Sequence, residues 1–295
     1  MNKYIKTLII LGPTATGKSD LAVFLAKKLN GEVISADSRQ VYRELDIGTG
    51  KITEKEMKGV KHHLLDVADP RKAFSVAEYV KQAEIAMSDI AKRGKLPIVC
   101  GGTGFYIQAL IDGLVLPDVP PNNSLRKKFA KLSTVELCGR LKKLDSVRFK
   151  TIDRKNPRRL IRAIEIATAL GRVPILAKKI GKYDPIFIGL NLPPAELKDR
   201  IRKRLIKRIK KGMVTEVLRL HAHGLSWKKL DELGLEYRYV SRYLQGKLSK
   251  DEMIEKLNTE IRHYAKRQMT WFKKDKRIKW FEPKDRAKIL IMLTT

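Results

Sequence analysis

The chain has 295 residues, of which 43% are hydrophobic, so it is long enough to build one large domain or two small ones with substantial cores. This composition excludes a chain that is disordered throughout. Lysine and arginine number 63 against 32 aspartate and glutamate, and the formal net charge of +31 favours an anionic partner, either nucleic acid or anionic lipid.

Two cysteines, Cys100 and Cys138, stand far apart and form no CxxC pair, so we expect neither a disulfide framework nor a cysteine-based zinc finger. The longest apolar runs fall well short of the ~20 residues that span a bilayer. The first residues also lack the long apolar stretch and cleavage site of a signal peptide. These features predict a cytoplasmic protein without a membrane anchor.

The first third of the chain alternates short apolar runs with amphipathic stretches, which is typical of βαβ units. Strands are predicted at residues 7–11, 32–36 and 96–100, with a weaker candidate at 62–67. Helices are predicted at residues 17–29 and 75–92, the first ending at Asn30-Gly31, a helix-stop signal. The predicted fold is therefore α/β, with a parallel sheet like that of P-loop NTPases and helices on both faces.

A proline-rich break at residues 116–123 is followed by a basic, helix-like segment that continues to about Gly171. This pattern predicts an inserted all-helical subdomain over residues 117–183. The apolar run at 185–190 is short enough for a buried strand that returns the chain to the sheet, and the remainder reads as mainly helical. The predicted core thus comprises residues 1–116 and 184–295.

One motif stands out near the N-terminus. Gly12-Pro13-Thr14-Ala15-Thr16-Gly17-Lys18-Ser19 matches GxxxxGK[ST] between a predicted strand and a predicted helix, as a phosphate-binding loop requires. Backbone N–H groups converge on phosphate oxygens there, Lys18 adds a full positive charge, and Ser19 can hold Mg²⁺. The motif predicts binding of a diphosphate or longer, whether or not it belongs to ATP.

Two further features follow strands at the same edge of the predicted sheet. Asp37 follows the second strand, and its position alone is compatible with a ribose-binding, substrate-binding or metal-binding acid, or with the cap of a helix that begins at Ser38. Gly101-Gly102-Thr103-Gly104 follows the 96–100 strand. Its glycines permit either close approach to a ligand or a tight turn with positive φ.

Eight segments carry a resemblance to one enzyme family, and they run in family order over nearly the whole chain. They are residues 12–19, 37–42, 47–51, 59–66, 74–79, 101–106, 156–165 and 264–272. Together these segments resemble the tRNA dimethylallyltransferase (tRNA isopentenyltransferase) family. Apart from the phosphate loop, each segment is a weak signal by itself, and the combination is highly specific.

The resemblance implies transfer of the dimethylallyl group of dimethylallyl diphosphate to N6 of the adenosine on the 3′ side of the anticodon in tRNA, without use of ATP. It implies that Asp37 accepts the N6 proton and that Thr103 lies beside the leaving oxygen. Lys18, Arg204 and Mg²⁺ on Ser19 would stabilise the charge that develops on diphosphate.

The resemblance also implies how tRNA is bound. Ser38, Arg39 and Gln40, with Asp37 and Thr103, would contact the adenosine and its neighbours. The insertion would clamp the anticodon arm through Arg126, Arg158, Arg159, Leu160, Ile161 and Arg162. We expect a monomer, since no feature of the sequence indicates an obligate partner chain.

Arg204 lies in a segment where Leu197, Ile201, Leu205 and Ile209 recur every four residues, which predicts a helix with one packed face. Arg200, Arg204 and Arg208 form an adjacent basic stripe, and most such arginines face solvent. The family match assigns a phosphate role to Arg204 and none to Arg208.

One departure from the family pattern leaves the acceptor open. The usual Gly-Tyr-Lys-Glu stretch is replaced by Gly234-Leu235-Glu236-Tyr237-Arg238, which is also similar to adenylate isopentenyltransferases that act on free AMP, ADP or ATP. The +31 charge favours RNA, because a free nucleotide needs no extended cationic surface. A small-metabolite kinase and a non-catalytic RNA-binding module are the remaining alternatives.

Overall fold

A computed structural model describes residues 4–177 and 181–295. The described chain forms two compact units. The first runs to Gly113 and resumes at residue 181, and the second begins at Leu114. Residues 1–3 and 178–180 of the domains expected from sequence lie outside the described residues.

The insertion was expected to span residues 117–183. In the structure the second unit begins at Leu114, and the described part of the first unit resumes at residue 181. Val115 donates its N–H to the Ala177 carbonyl within the second unit. Tyr183 pairs with Ile5 in the sheet of the first unit and is buried. The strand therefore begins two residues before the predicted apolar run at 185–190, because the charged Asp184 separates Tyr183 from that run.

The strands are β1 (Ile5–Leu11), β2 (Gly31–Ser35), β3 (His62–His63), β4 (Leu96–Gly101), β5 (Tyr183–Leu190) and β6 (Lys279–Phe281). The helices of the first unit before the insertion are α1 (Lys18–Lys28), α2 (Glu54–Met57), α3 (Val76–Lys92) and α4 (Gly104–Ile111). The second unit contains α5 (Asn123–Phe129), α6 (Thr134–Leu144), α7 (Ser146–Thr151) and α8 (Pro157–Leu170). The first unit continues with α9 (Pro194–Lys210), α10 (Met213–Ala222), α11 (Trp227–Leu233), α12 (Leu235–Leu244), α13 (Lys250–Phe272) and α14 (Arg286–Thr294).

All strands of the sheet are parallel, in the order β3-β2-β4-β1-β5-β6. The strands predicted for β1, β2, β4 and β5 are confirmed. The weaker candidate at 62–67 is reduced to His62–His63, because Leu64 and Asp66 adopt positive φ and end the extended backbone. β6 was not expected, since a strand of three residues between a basic segment and Glu282-Pro283 carries too little pattern.

Successive side chains of β1 point to opposite faces of the sheet and pack into two different cores. Leu8 and Ile10 pack with α1 and with Ile289 of α14, whereas Ile9 and Leu11 pack with α3 and α4. Burial of each such side chain stabilises the fold by about 1.5–3 kcal/mol. This alternation confirms an α/β fold with helices on both faces of a parallel sheet.

The helices α9 to α13 form a further core in the first unit. Ile201 and Leu205 of α9 are almost fully buried there against side chains of α10, α12 and α13. The apolar stripe predicted for α9 is therefore confirmed, and its packing fixes the rotation of the helix. That rotation determines where Arg204 points.

The second unit has its own core, made by α5 to α8. Its centre is built from Phe129, Leu137, Leu141, Leu160 and Ile164. Asn156 caps α8 by accepting the Arg159 N–H at 3.2 Å, and Pro157 occupies the first turn, where its missing N–H has no consequence.

A buried carboxylate, Glu165, organises the arginines of this unit. Glu165 is 2% exposed, accepts the Asn122 N–H at 2.6 Å, and is bonded by the guanidinium groups of Arg126 and Arg162. Both guanidinium groups are thus partly neutralised by this unit's own acid, which was not expected from the sequence.

Replacement of Glu165 with glutamine is expected to lower the free energy of unfolding by about 2 kcal/mol, because two guanidinium groups lose their buried counter-charge. Urea titration followed by circular dichroism measures the change. Asp153→Asn is the matched control, since Asp153 is exposed and lies 3.6 Å from Arg159, and we expect a change below about 0.5 kcal/mol. Equal effects of the two substitutions would contradict the role given to Glu165.

Candidate active site

The phosphate loop lies between the end of β1 and the start of α1, where the parallel sheet places ligands. Two of its positions require glycine. Gly12 has φ +139°, and a Cβ there would collide with the Leu190 carbonyl oxygen of β5. Gly17 has φ +83° and precedes the first residue of α1, so its backbone turns directly into the helix.

Hydrogen bonds within the loop fix its shape. The Thr16 hydroxyl donates to the Pro13 carbonyl at 2.9 Å, and the Lys18 ammonium donates to the same oxygen at 2.6 Å. Burial, together with the nearby charge of Arg204, lowers the pKa of Lys18 to about 8, against the opposing effects of Cys100 and Asp37. Lys18 is therefore a cation whose charge is sensitive to anion binding.

Arg204 reaches the phosphate loop from α9. Its guanidinium group donates to the Thr14 hydroxyl. Burial lowers the pKa of Arg204 to about 9, and the charge of Arg208 contributes in the same direction. A desolvated guanidinium beside the loop is suited to an anion with several negative charges, so the structure brings together the two cations that the resemblance implied.

Asp37 and Thr103 meet at the ends of β2 and β4. Asp37 Oδ1 accepts the N–H groups of Arg39 at 2.8 Å and Gln40 at 3.3 Å. The Thr103 hydroxyl accepts the Ser38 N–H at 3.0 Å. Residues 38–41 form a turn and not a helix, so the helix-cap interpretation of Asp37 is wrong. Its carboxylate supports a tight turn and keeps Oδ2 for other contacts.

Two cavities lie side by side in the first unit. The first, of about 350 Å³, is lined by phosphate-loop residues that include Lys18 and Ser19, and also by Gln40. The second, of about 270 Å³, is lined by Ser38, Arg39 and residues of α12 and α13. Both cavities share Thr14, Asp37, Thr49, Arg204 and Tyr264. Asp37 and Arg204 therefore stand at the boundary between a phosphate-binding space and a second space.

The glycines of the turn at 101–104 serve close packing. None of them has positive φ, so the tight-turn interpretation is wrong. A Cβ at Gly101 would collide with the backbone of Ala36, and one at Gly104 would collide with the Trp271 indole. The glycines thus leave room for the backbone of Ala36 and for the Trp271 side chain. Trp271, which packs against Gly104, is 38% exposed.

A buried carboxylate from α10 holds the loop that lines both cavities. Glu216 is 4% exposed and accepts the N–H groups of Asp46 at 3.1 Å, Ile47 at 2.6 Å and Gly48 at 3.0 Å. The Tyr237 hydroxyl donates to the same carboxylate at 2.9 Å. Four hydrogen bonds to one carboxylate fix the backbone next to Thr49.

Arg208 also supports this loop and does not face solvent. It is 7% exposed and donates to Glu236 at 3.0 Å and to the Gly48 carbonyl at 3.2 Å. A Cβ on Gly50 would collide with its guanidinium. Sequence analysis missed this role because the partner acid, Glu236, lies 28 residues away on another helix.

In the second unit, the six residues expected to contact tRNA are not equally accessible. Arg158 and Arg159 are exposed, whereas Leu160 is fully buried in the core and Ile161 packs against it. Leu160 is therefore a packing residue, placed inward by the periodicity of α8. Contact of the other five residues with tRNA stays a prediction.

Among residues 4–177 and 181–295, no cluster of three or more histidine, cysteine, aspartate or glutamate side chains could hold a metal. His63 bonds to Glu32 at 2.8 Å, and His62 bonds to the Val60 carbonyl at 2.9 Å, so both fill structural roles. Both cysteines are free. No helix in the described part of the chain is long and apolar enough to span a membrane.

A family model described as IPP transferase matches residues 40–275. The chain belongs to the IPP transferase family. The phosphate loop precedes the matched region, and Asp37 lies just before it, whereas Gln40, Thr103 and Arg204 lie within it.

Relatives within the IPP transferase family cover nearly the whole chain. tRNA dimethylallyltransferase 2 of Citrifermentans bemidjiense is 45% identical over 267 residues, covering 90% of this chain and 86% of the relative. The crystal structure of the full-length tRNA isopentenylpyrophosphate transferase of Bacillus halodurans has a TM-score of 0.75 at 36% identity, covering 98% of this chain and 95% of that one. A eukaryotic dimethylallyltransferase described as acting on tRNA also has a TM-score of 0.75, at 28% identity, covering 91% and 70%.

Proposed function

We propose that this IPP transferase transfers a dimethylallyl group from dimethylallyl diphosphate to N6 of the adenosine 3′-adjacent to the anticodon of tRNA. The observation that carries the proposal is the placement of Asp37 and Arg204 at the boundary of two cavities, one of which contains the phosphate loop. The names of the family relatives support tRNA as the acceptor and do not favour free AMP.

The donor's diphosphate occupies the first cavity in this proposal. As the bond between the allylic carbon and oxygen breaks, negative charge develops on diphosphate, and Lys18 and Arg204 stabilise it. Thr103, which follows the cavity-lining Gly101 and Gly102, would lie near the leaving oxygen, as the family resemblance implies. Because the fold holds these cations in place before the reaction, they need little reorganisation as negative charge develops on diphosphate.

The adenine occupies the second cavity, bounded by Ser38 and Arg39. The N6 lone pair forms the new bond to carbon, and Asp37 accepts the N6 proton as that bond forms. The nucleotide must leave the anticodon stack to reach this cavity, at an energy of a few kcal/mol that an unpaired loop keeps small.

Mg²⁺ fits the oxygen donors around the phosphate loop. Ser19, Asp20 and Asp37 line the same cavity and provide a hydroxyl and two carboxylates, and Mg²⁺ commonly takes one or two protein oxygens together with phosphate oxygens and water. Ser19 would hold the ion. Bound Mg²⁺ supplies further positive charge next to the diphosphate.

The net charge and the basic second unit support an extended RNA contact. We infer that residues 114–177, with Arg158 and Arg159 exposed, bind the anticodon arm, and that the enzyme acts as a cytoplasmic monomer. Phosphate contacts of this kind make tRNA affinity fall steeply with salt.

Transfer of radiolabel from dimethylallyl diphosphate tests the proposal. Unmodified tRNA with adenosine on the 3′ side of the anticodon is the acceptor, and AMP and a tRNA with guanosine at that position are the controls. Label on the first tRNA alone supports the proposal. Label on AMP and never on tRNA would move the function to a free nucleotide, and ATP hydrolysis without transfer would indicate a kinase-like enzyme.

The pH dependence of donor use follows from Lys18. Its ammonium is charged below a pKa of about 8 and neutral above it. Since kcat/KM reports the free enzyme, kcat/KM for dimethylallyl diphosphate is expected to fall as pH rises through about 8. Lys18→Arg should shift this fall to higher pH, because a guanidinium keeps its charge. A profile identical in both proteins would contradict the assignment.

A further inference from the structure

Gln268 lies on α13 with 6% of its surface exposed, and its side-chain amide reaches between the two loops that follow β1 and β4. Its Oε1 accepts the Thr14 N–H at 2.9 Å, and its Nε2 donates to the Gly102 carbonyl at 2.9 Å. One planar group therefore joins the phosphate loop to the glycine turn.

This bridge leaves little room for adjustment. A Cβ on Gly102 would collide with Nε2 of Gln268, so amide and backbone are in direct contact. Thr14 is held a second time, through its hydroxyl, by Arg204. The position of the phosphate loop relative to the glycine turn is thus set by contacts from α9 and α13 and not by the sheet alone.

The glycine turn leads directly to the acceptor side of the site. Gly102 precedes Thr103, whose hydroxyl accepts the Ser38 N–H at 3.0 Å, and Ser38 follows Asp37. Three hydrogen bonds and the backbone between them therefore connect the loop that would hold the leaving group with the residue that would accept the proton.

We propose that Gln268 is a positioning residue that sets the distance between the diphosphate on the phosphate loop and the adenine beside Asp37. The inference rests on the proposed function. Alkyl transfer requires the attacking nitrogen and the allylic carbon to be about 3–3.5 Å apart and aligned, and a misplacement of about 1 Å lowers the rate about 10²-fold.

Gln268→Leu and Gln268→Glu test the proposal in complementary ways. Leucine removes both hydrogen bonds at similar size. A glutamate can accept from Thr14 and donate to Gly102 only when it is protonated, and burial favours that neutral form. Steady-state kcat and KM for both substrates, the pH profile relative to wild type, and the melting temperature are measured for each variant.

For Gln268→Leu we expect kcat to fall about 10²-fold, with KM for tRNA within about threefold of wild type. For Gln268→Glu we expect activity relative to wild type to rise as pH falls from about 8.5 to about 6, as the carboxyl gains its proton. A kcat of the leucine variant within about threefold of wild type, or a flat relative profile for the glutamate variant, would overturn the inference. If the leucine variant fails to fold, the glutamate profile decides.

Asn258→Asp is the matched control, because Asn258 is also buried on α13, at 5% exposure, and lines neither cavity. Its relative profile should be flat between the same pH limits. A rise as steep as that of Gln268→Glu would assign the effect to helix stability and overturn the inference. The same assay with wild-type protein tests the proposed function separately. If the wild-type protein does not transfer the dimethylallyl group to tRNA, the proposed function is refuted.

Discussion

Replacement of Asp37 with asparagine is expected to lower kcat for transfer to tRNA by about 10²- to 10⁴-fold, the range typical of removing a general base. Asparagine keeps an oxygen that can accept the N–H groups of Arg39 and Gln40, so the turn should persist. The tRNA dissociation constant should therefore stay within about threefold of wild type. Single-turnover transfer and filter binding measure the two quantities.

Asp37→Ala is the informative companion to this variant, because it removes both the carboxylate and the support of the turn. It should lose at least as much turnover as asparagine and, in addition, some affinity for tRNA. An asparagine variant with nearly normal turnover would remove Asp37 from the role of base and leave it as a turn residue.

Replacement of Arg204 with lysine is expected to lower kcat/KM for dimethylallyl diphosphate by about 10²-fold, comparable to loss of one preorganised donor to a developing anion. Lysine keeps the positive charge and loses the planar group that contacts Thr14 while also facing the diphosphate space. Initial rates over a range of donor concentrations at saturating tRNA measure the effect.

Arg202→Lys is the matched control on the same helix. Arg202 bonds to Glu255 at 2.7 Å, is exposed, and lines neither of the two cavities. Its substitution should change kcat/KM by less than about twofold. Equal losses in the two variants would mean that α9 responds to any change of its arginines, and that Arg204 has no special place at the site.

Much of the site could be predicted from residues that are close in sequence. The phosphate loop is eight consecutive residues between a strand and a helix, and hydrogen bonds among these residues help to fix its shape. Asp37 and Thr103 were expected at one edge because parallel strands end there, and the structure joins them through Ser38.

Other expectations were wrong for identifiable physical reasons. Positive φ was one interpretation of the glycines at 101–104, yet none of them adopts it, and they make room for Ala36, Gln268 and Trp271. Leu160 was expected to contact RNA, and the periodicity of α8 buries it. The side chains that require the glycines are distant in sequence, whereas the burial of Leu160 follows the helical periodicity of α8 itself.

The α/β class, the phosphate loop and the basic character of the chain could be predicted from sequence, because periodicity, turn chemistry and charge act over a few residues or over the whole composition. The burial of Arg208 against Glu236 and the bridge that Gln268 makes between two loops became visible in the folded chain alone. The partners of Gln268 lie 254 and 166 residues away in the chain. Such contacts follow from how the helices pack against the sheet, and no local pattern encodes them.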